Sequence, residues 1–299
     1  MNAQSWIKAA RPRTLLLAIA NICMGIFLAA SAGSVNTLVA TLCIITAAAL
    51  QILSNFANDY GDAKHGLDND ERVGPKRAVQ SGTISSKAML RAMVITALIA
   101  ILTGLALVIS AFGLGSLIYV LLFVLLGGAG IWAAIAYTAT DNPYGYVGLG
   151  DLMVFLFFGL LAVLGSYFLQ AKSLNWTLLL PATASGLLSV AVLNVNNVRD
   201  LEADKKAGKN SIPVRIGERN ARIYHAFLLG GAMLSAIIYV LIQVSGPWQW
   251  LFLLVAPLLI ANTRALFIRQ NAAEIDPLLR QMSIATLIFT FLFGIGQVL

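Results

Sequence analysis

Nine long apolar stretches constrain the fold of this 299-residue chain more than any other feature. A membrane-spanning helix needs roughly 20 mainly apolar residues, and each stretch is close to that length. The stretches cover residues 14–31, 37–57, 88–110, 115–137, 149–170, 176–197, 221–243, 249–268 and 281–298. The sequence therefore predicts an all-α membrane protein with nine transmembrane helices. We expect them to form one domain over residues 1–299, without a soluble appendage.

The composition supports this interpretation. Only 11% of the residues are charged and 59% are apolar, whereas a soluble domain usually carries about 25% charged residues. Cys23 and Cys43 both lie in apolar stretches, so they indicate neither a disulfide framework nor a metal site. The net charge of +7 does not indicate a nucleic-acid partner, because a basic excess in the loops of a membrane protein usually reports its topology.

The charged residues lie on one side of the predicted membrane. With nine spans and a cytoplasmic N-terminus, the inner segments are 1–13, 58–87, 138–148, 198–220 and 269–280. Every Lys and Arg except Lys172 lies within about one helical turn of these segments, and the acidic residues cluster there too. Since basic loops stay in the cytoplasm, we predict that the N-terminus and the polar loops are cytoplasmic.

Two spans end in similar sequences. The second ends in an Asn- and Asp-rich stretch over residues 55–62, and the sixth ends in another over residues 194–204. Four spans separate the two stretches, an even number, so both reach the same membrane face. This pattern predicts two parallel pseudo-repeats in the chain.

Each of these stretches contains a pair of aspartates. Asp59 and Asp62 lie three residues apart, and Asp200 and Asp204 lie four apart. On a helix each pair shares one face, so the like charges repel unless a cation binds between them. Magnesium prefers oxygen ligands, usually one or two carboxylates with phosphate oxygens and water. We predict that all four aspartates are catalytic and bind Mg²⁺ that clamps a diphosphate; the alternative is a set of solvated loop charges.

Amides and cations accompany the aspartates. Amide groups near them can supply neutral oxygen ligands or hydrogen bonds, and polar groups at a span's end are functional candidates. Lys and Arg in the same loops can bind phosphate oxygens, although they can equally anchor the loops at the inner membrane surface. The predicted substrate-binding residues of these two kinds are Asn55, Asn58, Asn197, Arg72, Arg77 and Lys209.

A third inner segment has a different character. The tyrosine segment (residues 137–151) contains three tyrosines and two aspartates but no Lys or Arg. Aromatic faces attract cations, so they can stabilise a developing carbocation. We predict that Tyr137 is catalytic, that Tyr144 binds substrate, and that Asp141 or Asp151 orients a phenolic hydroxyl. An interfacial tyrosine belt is the alternative.

Two of these motifs resemble those of the intramembrane aromatic prenyltransferase (UbiA-type) superfamily. The first is Asn-Asp-Tyr-Gly-Asp at 58–62, followed by Asp68, which we include among the substrate-binding candidates. The second is Asp-Leu-Glu-Ala-Asp at 200–204, followed by Gly-Lys-Asn at 208–210. Residues 11–14, 74–75, 137–138 and 143–151 are similar to members of the family that use 1,4-dihydroxy-2-naphthoate. The resemblance runs from about residue 5 to residue 270.

The resemblance implies nine helices around a central cavity, with both motifs at its cytoplasmic mouth, in a bacterial cytoplasmic membrane. It implies Mg²⁺ as cofactor, a long all-trans polyprenyl diphosphate such as octaprenyl diphosphate as donor, and 1,4-dihydroxy-2-naphthoate as acceptor. The product would be a demethylmenaquinol, formed with loss of diphosphate and CO₂. Two alternatives stay open: a related prenyltransferase that uses 4-hydroxybenzoate, and a transporter of organic anions. Against a transporter, the charges lie at one membrane face rather than near the centres of the spans.

Overall fold

The structure is a computed structural model that describes residues 3–65, 77–113 and 115–299. Within these ranges, nine helices are long and apolar enough to cross a membrane. In chain order, the first to ninth spans are Pro12–Ser31, Thr37–Lys64, Ser86–Phe112, Leu117–Ala136, Gly150–Ala171, Trp176–Arg199, Glu218–Ile242, Pro247–Ile268 and Ala272–Val298. Short helices Ala3–Ala10, Leu201–Lys206 and Ile212–Ile216 lie outside the spans. The prediction of an all-α fold with nine transmembrane helices is confirmed.

Local sequence signals fix where several spans begin. Pro12 occupies the first turn of the first span, where its missing N–H costs no hydrogen bond. Asn36 caps the second span by accepting a hydrogen bond from the backbone N–H of Val39. Ser85 caps the third span in the same way through the N–H of Ala88. These caps satisfy backbone donors that have no partner inside the helix.

The second span is longer than the sequence predicted. Its helix continues to Lys64, whereas the hydrophobic stretch ends at residue 57. The extra residues are polar, so hydropathy alone places them in a loop. They remain helical because their carboxylates find partners at the end of the bundle. The first aspartate pair therefore lies on a helix, with the two side chains held at a fixed spacing. The ninth helix likewise begins at Ala272, nine residues before the predicted span.

The sixth span forms the centre of the bundle. In its most apolar stretch 72% of the residues are buried, compared with 11% for the fourth span. It packs against the seventh and ninth spans through a core that includes Leu188, Val192, Leu228 and Phe289. The fourth span therefore has most of its surface on the outside of the bundle. The sixth span is held by neighbours on nearly all sides, which gives the second aspartate motif a rigid base.

A π-helical stretch interrupts the fifth span at Phe155–Leu161. It packs tightly against the sixth span, where a Cβ at Gly159 would lie 2.6 Å from the Cα of Gly186. Glycine is therefore required at this contact. Short π-helical insertions often occur at functional sites, because they change which side chains face inward. Here Phe157, Phe158 and Leu161 from this stretch line a cavity.

The orientation of the protein in the membrane gives a first testable prediction. Lys172, at the end of the fifth span, is exposed and lies opposite the aspartate motifs. In a variant whose Cys23 and Cys43 are alanine, Lys172→Cys should react with a membrane-impermeant thiol reagent added to intact cells. Lys206→Cys, also an exposed position, should react only after the cells are lysed. The reverse labelling pattern would place both motifs outside the cytoplasm.

Candidate active site

A cavity of about 650 Å³ lies between the first six spans. Its wall follows the second span from Cys43 to Asp62, about 28 Å along the helix axis at 1.5 Å per residue. Near Cys43 the wall is apolar and includes Leu107 and Leu169. The opposite end is lined by Asn58, Asp62, Arg77, Tyr137 and Lys209. The cavity therefore combines an apolar chamber with one charged end.

Asp62 is the aspartate of the first motif that lines this cavity. Its Oδ2 forms an ion pair with the guanidinium of Arg77, and both side chains are nearly buried. Its Oδ1 accepts a 2.7 Å hydrogen bond from the hydroxyl of Tyr146. Arg77 also donates to the backbone oxygen of Asn58 at 2.7 Å. Contacts on both oxygens fix the plane of the Asp62 carboxylate at the mouth of the cavity.

Asp59 has a different environment, although it lies less than one turn away on the same helix. It is buried, and its two oxygens accept hydrogen bonds from the backbone N–H groups of Ala78 and Val79, at 3.1 and 3.2 Å. Asp59 therefore fastens the segment before the third span onto the second span. A carboxylate has about four lone-pair sites, so these bonds leave acceptor capacity for a metal. Its predicted part in metal binding stays a prediction.

The second motif brings Asp204 and Lys209 together. The Nζ of Lys209 lies 3.2 Å from Oδ1 and 3.1 Å from Oδ2 of Asp204. The backbone N–H of Lys209 donates to the carbonyl of Asp204 at 2.9 Å, which closes a turn between them. The turn lets Lys209 reach back into the cavity that Asp62 lines. Lys209 thus contacts a carboxylate of the second motif and lines the same cavity as Asp62 of the first motif.

Burial and these charges set the ionisation of the pair. Burial opposes a charge on Lys209, but Asp204, Tyr137 and Asp62 outweigh that effect and hold the pKa of Lys209 above its usual value. Burial raises the pKa of Asp204, and Lys209 offsets only part of this rise. Lys209 is therefore protonated at neutral pH. The Asp204 carboxylate would be stabilised further by a second cation beside it.

Asp200 is held by its neighbour in sequence. The Nε and Nη2 of Arg199 donate to the two oxygens of Asp200 at 2.8 and 2.7 Å. The Nη1 of the same guanidinium donates to Asp276 of the ninth span at 2.7 Å. This bidentate geometry is the strong form of an Arg–carboxylate pair. Asp276 keeps Arg199 in place, so the ninth span contributes to the orientation of the second motif.

The three predicted asparagines have different environments. Asn58 lines the cavity, and its Oδ1 accepts from the hydroxyl of Thr138 at 2.9 Å. Asn55 donates to the backbone oxygen of Ala10 at 2.7 Å, so it ties the N-terminal helix to the second span. Asn197 is buried, and its Oδ1 accepts no hydrogen bond from the described residues. A buried oxygen in this condition is suited to contact a cation or a water molecule.

The tyrosine segment places two of its rings against the cavity. Tyr137 and Tyr144 line the wall with their ring centroids 5.4 Å apart, in an edge-to-face arrangement. The hydroxyl of Tyr144 donates to the backbone oxygen of Ala133 at 2.8 Å. Burial raises the pKa of both phenols, so each stays protonated at neutral pH. The rings offer flat, uncharged surfaces beside the charged end of the cavity.

The remaining predicted residues lie away from this cluster. Asp141 has 88% of its side chain exposed and pairs with Lys64 at 2.8 Å on the surface. Asp151 is buried behind the wall, where it accepts from the hydroxyl of Tyr224 at 3.1 Å. The structure therefore does not bring either carboxylate to the cavity wall. Asp68 and Arg72, which were also predicted to bind substrate, lie outside the described residues.

A family model described as the UbiA prenyltransferase family matches residues 18–287. The chain belongs to this family. A 1,4-dihydroxy-2-naphthoate octaprenyltransferase of Escherichia coli (strain K12) is 47% identical over 98% of this chain and 94% of its own length. A protein of the same name from Haemophilus influenzae is 43% identical over 97% of this chain and 94% of its length.

Solved structures of UbiA homologues have the same fold as this chain. The apo homologue from Aeropyrum pernix K1 aligns with a TM-score of 0.71 at 16% identity, over 95% of this chain and 96% of that one. A homologue from Archaeoglobus fulgidus, bound to DMAPP and Mg²⁺, aligns with a TM-score of 0.65 at 19% identity, over 98% and 99%. The match extends over nearly the whole chain, which agrees with an integral membrane protein.

Sequence reasoning missed three residues at this UbiA-family site. Tyr146 belongs to the tyrosine segment but was not predicted to act at the site, and Arg199 and Asp276 were not predicted as partners of Asp200. The clustering of tyrosines was the only available signal for Tyr146. No spacing in the sequence connects Asp276 to the second motif, because the contact joins residues 77 positions apart. Both contacts depend on how the spans pack.

Proposed function

We propose that this chain transfers an all-trans octaprenyl group from its diphosphate to 1,4-dihydroxy-2-naphthoate, with loss of diphosphate and CO₂. The observation that carries the proposal is the pairing of an apolar chamber with a charged end that holds Arg77, Lys209 and two aspartates. The two relatives named as octaprenyltransferases cover almost the whole chain at 47% and 43% identity, which supports the same substrates. The product would be a demethylmenaquinol.

The shape of the cavity suits a prenyl diphosphate. An extended chain of three backbone bonds spans about 3.6 Å, so a four-bond isoprene unit spans about 5 Å. The chamber of about 28 Å along the second span therefore accommodates roughly five extended units. The diphosphate would lie at the charged end, against Arg77 and Lys209. The remaining units of an octaprenyl chain would extend into membrane lipid, which is accordingly part of the substrate's environment.

The two motifs contain the oxygen donors that Mg²⁺ prefers. These are the carboxylates of Asp62, Asp200 and Asp204 and the unbonded Oδ1 of Asn197. Among the described residues, no three His, Cys, Asp or Glu side chains converge as a closed metal site. Mg²⁺ usually takes one or two carboxylates and completes its coordination with phosphate oxygens and water. We therefore propose that Asp59, Asp62, Asp200 and Asp204 are shared between magnesium ions that also bind the diphosphate.

Bound Mg²⁺ would supply positive charge that makes diphosphate a better leaving group. Arg77 and Lys209 supply further charge through hydrogen bonds to phosphate oxygens, which strengthen as the allylic carbon–oxygen bond breaks. The apolar wall keeps water away from the allylic cation that forms. Tyr137 and Tyr144 present ring faces that stabilise this cation without reacting with it.

The acceptor would bind beside these rings. The electron-rich naphthalene attacks the allylic carbon, and a new carbon–carbon bond forms. The carboxylate then leaves the attacked carbon as CO₂, and its bonding electrons restore the aromatic ring. No nucleophile from the protein takes part. Because the tyrosine segment contains no Lys or Arg, nothing in it would pair with the acceptor carboxylate and oppose its departure.

We further propose that the protein lies in the bacterial cytoplasmic membrane with its N-terminus and both motifs in the cytoplasm. The distribution of Lys and Arg supports this orientation. Lys209 and Asp62 line the same cavity, which supports the prediction that both motifs reach one face. The parallel pseudo-repeats and the single domain over residues 1–299 stay predictions that rest on the sequence pattern.

Acceptor labelling tests the proposed reaction directly. Purified protein with Mg²⁺, octaprenyl diphosphate and carboxyl-labelled ¹⁴C-1,4-dihydroxy-2-naphthoate should release one labelled CO₂ for each prenylated product. Label retained in the product would exclude decarboxylative substitution. Efficient prenylation of 4-hydroxybenzoate, with no turnover of the naphthoate, would assign the related activity instead. Uptake of an organic anion by proteoliposomes without any prenyl transfer would indicate a transporter.

A further inference from the structure

The tyrosine segment contacts the first aspartate motif at several points. Its Tyr146 hydroxyl donates to Oδ1 of Asp62 at 2.7 Å. The ring of His65 lies edge-on to the Tyr146 ring, with centroids 5.5 Å apart, and its Nε2 is 3.0 Å from the carbonyl oxygen of Thr140. The surface pair of Lys64 and Asp141 adds a third connection. The segment is thus fastened to the end of the second span.

The same segment is also fastened to the loop that follows the second motif. The backbone N–H of Asn210 donates to the carbonyl of Tyr146 at 2.8 Å. The Nη2 of Arg215 donates to the carbonyl of Val147 at 2.5 Å, and its Nε donates to the carbonyl of Asn210 at 3.1 Å. Asn210 directly follows Lys209, the cation that contacts Asp204. Tyr146 therefore bonds to the first motif through its side chain and to the loop after the second motif through its backbone carbonyl.

The backbone of the segment is shaped for the second contact. Gly148 has a φ of +74°, in the left-handed region that favours glycine. A Cβ at this position would lie 2.7 Å from both the Cζ of Arg215 and the carbonyl oxygen of Asn210. The turn therefore allows the guanidinium to approach the segment closely. Any side chain at Gly148 would push Arg215 away.

We propose that the tyrosine segment couples the two aspartate motifs, with Tyr146 as the positioning residue for Asp62 and Arg215 as the anchor to the loop that follows the second motif. The inference rests on the proposed function. A diphosphate with its metal must contact groups from both motifs at once, so the separation of the motifs has to be held. Because the tyrosine segment is bonded on both sides, it holds this separation before the substrate binds.

The bond from Tyr146 also controls which way Asp62 faces. Arg77 pairs with Oδ2 of Asp62, while Tyr146 holds Oδ1. Without the hydroxyl, Oδ1 loses a donor and the carboxylate can rotate toward Arg77. Asp62 would keep its negative charge, but its carboxylate oxygens would point in a different direction. Magnesium affinity should therefore fall while the acceptor, which lies against other residues, is bound as before.

Tyr146→Phe removes only this hydroxyl, and Tyr119→Phe, at an exposed ring on the fourth span, is its matched control. Two readouts apply: the Mg²⁺ concentration that gives half-maximal prenyl transfer, and the concentration that gives half-maximal thermal stabilisation in the presence of inorganic pyrophosphate. Loss of a hydrogen bond to a charged group should raise both about tenfold in Tyr146→Phe. The KM for the acceptor should not change, and Tyr119→Phe should match the parent protein.

A double-mutant cycle tests the coupling itself. Arg215→Ala should also raise the Mg²⁺ requirement, whereas Arg219→Ala, an exposed arginine four residues later, should not. If one bridge connects the motifs, Tyr146→Phe together with Arg215→Ala should cost less than the product of the two separate effects. Independent effects, or an unchanged Mg²⁺ requirement in Tyr146→Phe, would overturn the inference. Absence of prenyl transfer by the parent protein would instead overturn the proposed function.

Discussion

Asp62→Asn should lower the rate of prenyl transfer by about a thousandfold, a loss typical of removing a key electrostatic group from an active site. Asp62 lines the charged end of the cavity, and contacts from Arg77 and Tyr146 hold both of its oxygens. Asparagine keeps the shape of the side chain but removes the negative charge that a magnesium ion requires. The measurement is the initial rate of product formation at saturating Mg²⁺, with both substrates in excess.

Glu202→Gln is the matched control, because Glu202 is an exposed acid within the second motif. Its rate should stay within about twofold of the parent rate, because the Glu202 side chain is exposed on the surface. Both proteins should elute as single species in detergent and unfold at temperatures close to that of the parent. A near-normal rate in folded Asp62→Asn would remove Asp62 from the proposed metal ligands.

Lys209→Gln should lower kcat/KM for the prenyl diphosphate by about a hundredfold, within the range for loss of one electrostatic group. Lys209 is largely buried and lies within 3.2 Å of both oxygens of Asp204. The change removes a cation from the cavity that Asp62 lines and leaves Asp204 without its partner. The diphosphate then approaches two carboxylates with less positive charge to compensate for them.

The acceptor separates this effect from general damage to the site. The KM for 1,4-dihydroxy-2-naphthoate should be unchanged in Lys209→Gln, because the proposed contacts of Lys209 are with phosphate oxygens. Lys205→Gln, an exposed lysine on the same short segment, should behave like the parent protein. A rise confined to the acceptor KM would reassign Lys209 to the acceptor side of the cavity.

The nine spans could be predicted because each one depends only on the length and hydropathy of its own stretch of sequence. An apolar run must match the thickness of the hydrocarbon core, so its length can be read without knowledge of its neighbours. The same reasoning failed at the ends of spans. The second helix continues to Lys64 because its polar residues find partners at the end of the bundle, and hydropathy does not record such partners.

The sequence predicts the chemistry of the candidate site but not its arrangement. Aspartates paired at helical spacing, with Lys and Arg nearby, favour a bound metal diphosphate over solvated loop charges. The spacing in the sequence gives no reason to expect different environments for Asp59 and Asp62. In the structure, the backbone of Ala78 and Val79 returns to Asp59, while Asp62 faces the cavity. The two aspartates therefore differ because of contacts with residues about 20 positions away in the sequence.

The sequence by itself determined that the chain is a membrane protein with nine spans. It also predicts the single face that carries the charges and the residue types of the site. Each of these follows from hydropathy, charge or helical spacing, which act over a few residues. Only the tertiary structure decided that Tyr146 holds Asp62, that Lys209 enters the cavity lined by Asp62 and that Asp276 supports Arg199. These contacts join different spans and loops, so they exist only after the helices have packed around the cavity.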